Sequence, residues 1–568
     1  MTDEGKQGRT EADLPARPFN SMAPGLAKGL ALLTLCFVIV GSLLRLARLV
    51  GSRPLWEDEA FLALNFLTRS SAELLKPLDS VQLSPLAFVA AEWSIVQLGG
   101  RSEVALRWLP CVAGVLALVL LHRVCRRVLD PLGALFATAF AAFSPLLLDY
   151  SVELKSYSFD LLATAAMMQV TLDVAEQRGE RRTLAVWAIV AFVVALISTA
   201  APLIVAGAGA TGMVALWRYR ARSAAGHLLL AGFPAAIAFL FQFLTIYSSP
   251  STLQGMQSYW QGNFIEFGLP ETLLGLARTL RELWLNLLFG SAAETWLPRR
   301  SLSAALVVSG IGAWTLVQQR SLVLTLLVAP FLLAVLASML HRWPMQPRLL
   351  LFAAPMIVMS FGAGLSRLIQ CAPLSLRLSA MLVISIVTLG GAVRGAVESI
   401  QAPAHRVELP SAMEYIGKQP HSVPVAYVSA HFLAACRYYT AWHPRREQLV
   451  GQTVGTECQL RGTRVLYGRW PEADQSATRI DGTVVSSPNA WIEEEAERIL
   501  AVSEREVWLV LPEDGPALLS RLGARGAVQR SAWRASGVLV LRFSVPPRSP
   551  RSAGAAAANA VKSRTDPA

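Results

Sequence analysis

Apolar runs long enough to cross a bilayer recur along this chain, and the loops between them hold their arginines on one side only. These two features limit the fold more than any other part of the sequence. Leu26 to Val50 is the first such run, but Leu83 to Gly99 is apolar for little more than a dozen residues and is interrupted by Pro85, Glu92 and Gln97. If that segment spans, every later loop is inverted. Treated as non-spanning, it leaves runs at roughly 26–50, 104–124, 132–148, 158–176, 183–199, 201–217, 225–246, 302–317, 322–340, 349–365 and 378–395. Arg123, Arg126 and Arg127; Arg178, Arg181 and Arg182; Arg218, Arg220 and Arg222; Arg320; and Arg367 and Arg377 then share a side with Lys6, Arg9, Arg17 and Lys28. Basic loops remain inside, so the alternating count holds only this way. The sequence thus predicts a polytopic α-helical membrane protein of about eleven transmembrane helices, with residues 51–103 as one external loop and 83–99 lying in the interface.

Composition agrees, because 54% of the 568 residues are hydrophobic and they come in blocks rather than amphipathic periods. The net charge of +12 raises nucleic acid as a partner, but the basic residues sit in small clusters between apolar runs, where anionic lipid and the insertion rule account for them. No zinc-finger spacing or basic, aromatic-laced domain supports a nucleic-acid partner.

Residues 1–24 are polar, lack the apolar core and cleavage site of a signal peptide, and read as a disordered cytoplasmic tail. Residues 25–398 form the transmembrane domain. From 399 to 546 the pattern is that of a small extracytoplasmic α/β domain, with strands at 423–428, 507–511 and 538–545 and an amphipathic helix at 489–502. Residues 547–568 are rich in Pro, Ser, Arg and Ala and read as a second disordered tail. Of six cysteines only Cys436 and Cys458 share a polar region; a disulfide and two free thiols are both open on spacing alone.

The candidate chemistry lies in the external loops. The first reads Trp56-Glu57-Asp58-Glu59-Ala60-Phe61, three carboxylates beside an aromatic just after a membrane-length run. A carboxylate there can act as a general base, bind a divalent cation or cap a helix start. One cap needs one acid, and three in a row repel each other unless something positive is near, so chemistry is the stronger reading. The second loop, Asp149 to Tyr157, sets Glu153, Lys155 and Tyr157 at the same membrane depth. Lys76, Lys155, Arg342 and Arg348 are the external cations able to meet a phosphate; Arg342 and Arg348 flank the turn His341 to Arg348, where the basic-inside rule makes arginines need a reason. Snorkelling to anionic headgroups is the alternative for both arginines.

The order and spacing of three motifs carry a resemblance. Trp56, Asp58, Glu59 and Ala60 come after the first span, Arg107-Trp108-Leu109-Pro110 opens the second, and Ser144-Pro145, Tyr150-Ser151, Glu153, Lys155 and Tyr157 come after the third. The chain resembles the GT-C glycosyltransferases, and within them the protein O-mannosyltransferase and lipid A aminoarabinose transferase group. This resemblance covers roughly residues 26–200, with the Pro347-Arg348 pair agreeing further on. It implies an inverting hexosyl- or pentosyltransferase that takes a sugar from a polyprenyl-phosphate donor and gives it to a lipid, glycan or protein acceptor. It also implies a bacterial inner or plasma membrane with the active site facing the periplasm or exterior. By the same resemblance Asp58 is the catalytic base and Glu59 its acidic neighbour, and Trp56, Glu153 and Tyr157 line the substrate site. Lys155 stands where Arg is common, which keeps the charge but gives up the bidentate fork. No cofactor is certain, and a divalent metal ion stays open because acids without a fixed ligand spacing do not name an ion. Membrane lipids are the remaining partner. A transporter or flippase would place its acids in mid-span, and the spans here hold few; a polysaccharide polymerase of cell-envelope glycans is separated poorly by sequence.

Overall fold

The computed structural model describes residues 24–51, 53–290, 299–401, 407–419, 423–450, 457–460, 463–469, 488–502, 505–513 and 516–546, so the tails expected at 1–24 and 547–568 lie outside it except for Pro24. The chain divides into two compact units, one of residues 1–51, 70–92 and 107–403, the other of residues 52–69, 93–106 and 404–568.

In the first unit the opening helix, Pro24–Val50, carries no charge from Ala31 to Leu44. Its Arg45, 1% exposed, donates to the carbonyl of Gly41 at 2.9 Å and to those of Ala141 and Ala142 at 3.1 and 3.3 Å. The guanidinium thus joins this helix to the C-terminal carbonyls of the helix Pro131–Phe143, where a cation is favoured. Seven described helices are long and apolar enough to cross a membrane, against the eleven expected. Four differences account for this. The helix Pro131–Phe143 has 13 residues. Tyr157–Glu176 carries Asp160, Asp173 and Glu176. Arg181–Ile197 has 17 residues. The two runs at 302–317 and 322–340 fall in one continuous helical stretch, Arg299–Met339, and so count once, although a kink at Arg320, with φ −151° and ψ 61°, parts it into the two helices expected. The ambiguous segment is the helix Leu86–Gln97 of 12 residues. At about 1.5 Å per residue it is too short to cross a hydrocarbon layer of about 30 Å.

Small residues bring helices together here, as membrane packing favours. A Cβ added at Gly312 would lie 1.8 Å from the Ser360 carbonyl oxygen, and one at Gly364 would lie 1.9 Å from that of Val308. The helices Arg299–Met339 and Ala354–Cys371 therefore touch backbone to backbone. The stretch between the apolar runs 225–246 and 302–317 contains two helices the sequence did not predict, Pro250–Tyr259 and Leu269–Leu288; the second buries Leu283, Trp284, Leu287 and Leu288.

The second unit is built on a five-stranded sheet of β1 (Val425–Val428), β2 (Arg464–Tyr467), β3 (Glu506–Leu511), β4 (Val528–Ala535) and β5 (Val538–Ser544). The order is β2-β1-β3-β5-β4; β1 runs parallel to β2 and β3, and β5 runs antiparallel to β3 and β4. Val425, Tyr427, Val507, Leu509, Leu541 and Phe543 pack with Ala496 and Ile499 from the helix Pro488–Val502 to make the core. The three predicted strands and the helix are present. The sequence missed β2 and β4, the two edge strands, whose residues are mostly exposed or half-buried and give no apolar run.

The expectation placed 51–103 wholly within the transmembrane domain, whereas packing divides it. Residues 52–69 and 93–106 join the sheet unit. The helix Glu57–Thr68 buries Leu62, Ala63 and Phe66 completely, and the helix Ala430–Arg437 packs against it. Cys436 and Cys458 form a disulfide, while Cys36, Cys111, Cys125 and Cys371 are free.

Candidate active site

The three first-loop acids occupy the first turn of the helix Glu57–Thr68. Unpaired N–H groups and the helix dipole favour negative charge there, which explains why the sequence can begin a helix with consecutive carboxylates. Each acid has a different setting. Glu59 is fully buried; its Oε2 accepts the Trp56 backbone N–H at 3.4 Å and lies 3.9 Å from the Arg53 guanidinium. It therefore serves as the helix cap that the three-acid argument had weighed against chemistry. Glu57 places Oε2 3.2 Å from His431 Nδ1. Burial pushes the Glu57 carboxyl upward, His431 opposes this, and the neighbouring Asp58 adds to the rise. Asp58 and Trp56 are half-buried.

The chain enters this helix through a buried polar network. The Leu55 amide donates to Tyr439 Oη at 2.7 Å, and Tyr439 Oη donates to Glu103 Oε1 at 3.0 Å. His443 Nε2 lies 2.9 Å from Glu103 Oε2, and the Arg445 amide donates to His443 Nδ1 at 3.1 Å. An N–H donated to Nδ1 leaves the proton on Nε2, so His443 donates to Glu103. Burial alone would raise the Glu103 carboxyl, but the hydrogen bonds from His443 and Tyr439 outweigh it and hold the group at about 2. Tyr438–Trp442 is a π-helical turn closed by the His443 amide on the Tyr438 carbonyl at 2.9 Å, and it aims Tyr439 and His443 at the same carboxylate. None of His431, Tyr439, His443 or Glu103 stood out in the sequence. The first three lie more than three hundred residues from the loop they support, and only the fold brings them to it.

The second loop belongs to the first unit. Ser144 caps the short helix Pro145–Tyr150 by accepting from Leu147 N at 3.3 Å, and the chain then turns through Ser151 to Ser156. Asp149 pairs with Arg48 and accepts from Ser399 Oγ at 2.6 Å, which ties the loop to the first and last long helices of its unit. Glu153 is 1% exposed and Lys155 6%. Lys155 Nζ donates to Gln82 Oε1 at 2.5 Å, so this lysine reaches the part of the first loop that stays in the same unit. Tyr157 is buried edge-on against Tyr150, with ring centroids 5.3 Å apart.

The remaining predicted residues have different settings. Lys76 comes just after the turn Ser71–Leu75 and is exposed. Arg342 is exposed at the start of the His341 to Arg348 turn. Arg348 lies over Trp260, 4.8 Å from the ring centroid, with Nη2 3.5 Å from Tyr259 Oη. An aromatic partner is a reason for that arginine which headgroup attraction alone does not supply. Among the described residues no three His, Cys, Asp or Glu side chains converge to hold a metal ion.

Residues 84–242 match the family described as dolichyl-phosphate-mannose-protein mannosyltransferase. The match contains Glu153, Lys155 and Tyr157 and leaves Asp58 and Glu59 outside it. No curated protein matches the chain. Among solved structures, ArnT from Cupriavidus metallidurans bound to undecaprenyl phosphate is similar at 12% identity and a TM-score of 0.48, covering 91% of this chain and 98% of that one. The archaeal oligosaccharyltransferase AglB from Archaeoglobus fulgidus, in complex with an inhibitory peptide and a dolichol-phosphate, is similar at 11% identity and a TM-score of 0.47, covering 89% and 74%. The family match falls on the very stretch that holds the second-loop motif, so over residues 84–242 the chain is similar to the dolichyl-phosphate-mannose-protein mannosyltransferases.

Proposed function

We propose that the protein moves a sugar, with inversion, from a polyprenyl-phosphate donor to an acceptor hydroxyl at the extracytoplasmic face of a bacterial inner or plasma membrane. The observation that carries this reading is the second loop. Glu153 and Lys155, at 1% and 6% exposure, are ionisable groups buried beside membrane helices and within the stretch that matches the family. Ionisable groups so placed are costly and usually functional. The matched family is described by a dolichyl-phosphate-linked mannose, which supports the donor class. The one-sided arginines support the side.

The acceptor oxygen attacks the anomeric carbon while the bond from that carbon to the phosphate oxygen breaks. The electron pair leaves with polyprenyl phosphate, and the acceptor proton passes to a carboxylate. Asp58 is that base, and Lys155 meets the departing phosphate charge. Lys76, Arg342 and Arg348 are further donor-phosphate contacts, and Trp56, Glu153 and Tyr157 line the sugar. Glu59 works through its cap, fixing the turn that holds Asp58. The acceptor is a lipid, a glycan or a protein.

Purified protein supplied with labelled polyprenyl-phosphate sugar should release the sugar from its carrier. Asp58→Asn should slow this about a hundredfold or more while leaving the protein folded, because Asn keeps the size but accepts no proton. Glu59→Gln should cost less, since Gln also caps from this position. Normal turnover in Asp58→Asn at wild-type abundance and melting behaviour would remove Asp58 as the base, and no sugar release by the wild-type protein would favour the transport reading.

A further inference from the structure

We propose that Tyr439, from the C-terminal part of the chain, is a positioning residue for Asp58. The inference rests on the reading of Asp58 as the base. Tyr439 is fully buried, and its single hydroxyl joins two groups, accepting from the Leu55 amide at 2.7 Å and donating to Glu103 Oε1 at 3.0 Å. Leu55 is also fully buried and stands three residues before Asp58, directly ahead of the helix start. The position of its amide therefore fixes where the first turn begins. Glu103 is fixed in turn by His443, which the Arg445 amide holds in the required tautomer. A backbone amide held by a side chain, itself held by a hydrogen-bonded carboxylate, orients the first turn of the helix and the acids on it. The ring of Tyr439 packs independently of the hydroxyl, edge-on to Tyr438 with centroids 4.9 Å apart and tilted against His443 at 5.2 Å. Removing the hydroxyl alone therefore keeps the packing and frees the Leu55 amide.

Transfer by the full-length Tyr439→Phe protein, with the Cys436 to Cys458 disulfide intact, should lose about tenfold in kcat with an unchanged KM for the donor. Hydrogen exchange of the peptide around Leu55 should accelerate. In an Asp58→Asn background the same substitution should cost nothing further, because the group it positions is already inactive. His443→Gln, which keeps a donor toward Glu103, should retain more activity than His443→Ala. If Asp58→Asn is inactive while Tyr439→Phe has wild-type kcat and wild-type exchange at Leu55, the positioning role is wrong and the proposed function stands. An equal tenfold loss in both backgrounds would also overturn it, as a general effect on folding. Full activity in Asp58→Asn would instead remove Asp58 as the base, and with it the group that Tyr439 is proposed to position.

Discussion

Glu103→Gln tests how strongly the buried network holds the first loop. The Glu103 carboxyl titrates at about 2 against 4.5 for the unperturbed group. At about 1.36 kcal/mol per unit, this difference contributes about 3 kcal/mol to the second unit. The folded value is depressed, so the contribution is complete above pH 4.5 and is lost as pH falls from 4.5 toward 2. Gln keeps an acceptor for Tyr439 but turns an amide donor toward His443 Nε2, which already donates, and it cannot titrate. Thermal unfolding of the purified full-length protein, monitored by tryptophan fluorescence, should show the variant melting roughly 6–12 °C below wild type at pH 7. The gap should narrow as pH falls below 4.5, because wild type then loses the interaction the variant already lacks. A gap that is the same at pH 7 and pH 3, or wider at pH 3, would refute the assignment of the depressed carboxyl to this network.

The second loop, the disulfide and the topology give further expectations. Lys155→Ala should raise the KM for the lipid-linked donor more than it lowers kcat, because it removes a phosphate contact and not a proton acceptor; an unchanged donor KM would contradict the role. Reduction of the purified, denatured protein should raise the titratable thiols by two as the Cys436 to Cys458 bond opens. Closing a loop with a sequence separation of 22 residues, that bond should contribute about 3 kcal/mol by the chain-entropy account, and an unchanged melting temperature on reduction would argue against this. Reporter fusions after Arg127, Arg182 and Arg222 should report cytoplasm, and fusions after Gly99 and Arg348 the outside; an outside signal at Arg127 would invert the topology.

How much the sequence reveals depends on how local the determining force is. Helix-forming apolar runs are local, so nearly every membrane helix was legible to within a few residues. Where the expected spans differ, the helix is short, as at Pro131–Phe143 and Arg181–Ile197, carries acids, as at Tyr157–Glu176, or runs on through a kink, as at Arg320. The buried strands β1 and β3 were legible as apolar runs and β5 from its alternation, and the edge strands β2 and β4 were not because their faces are mostly wet. The site divides in the same way. Glu57, Asp58 and Glu59 announce themselves as a charge cluster after an apolar run. What distinguishes them does not: Glu59 is identified as a cap by its contact with the Trp56 amide, and Glu57 by its contact with His431, a residue 374 positions away.

That division of the first loop bears on how the C-terminal part of the chain can be tested. A sheet domain that merely bound a partner could be deleted without touching the first-loop acids. Here the helix that carries those acids packs its apolar face, Leu62, Ala63 and Phe66, inside the same unit as the sheet. The segment leading into it is held by Tyr439 at the Leu55 amide. Removing residues from 404 onward would therefore uncover three fully buried side chains and release the Leu55 amide, whatever else the sheet does. Loss of activity in such a truncation would be expected from unfolding of the loop alone. Single substitutions that spare the packing, Tyr439→Phe among them, separate a domain that holds the catalytic loop from one that recruits a partner, because only the first makes kcat depend on one buried hydroxyl.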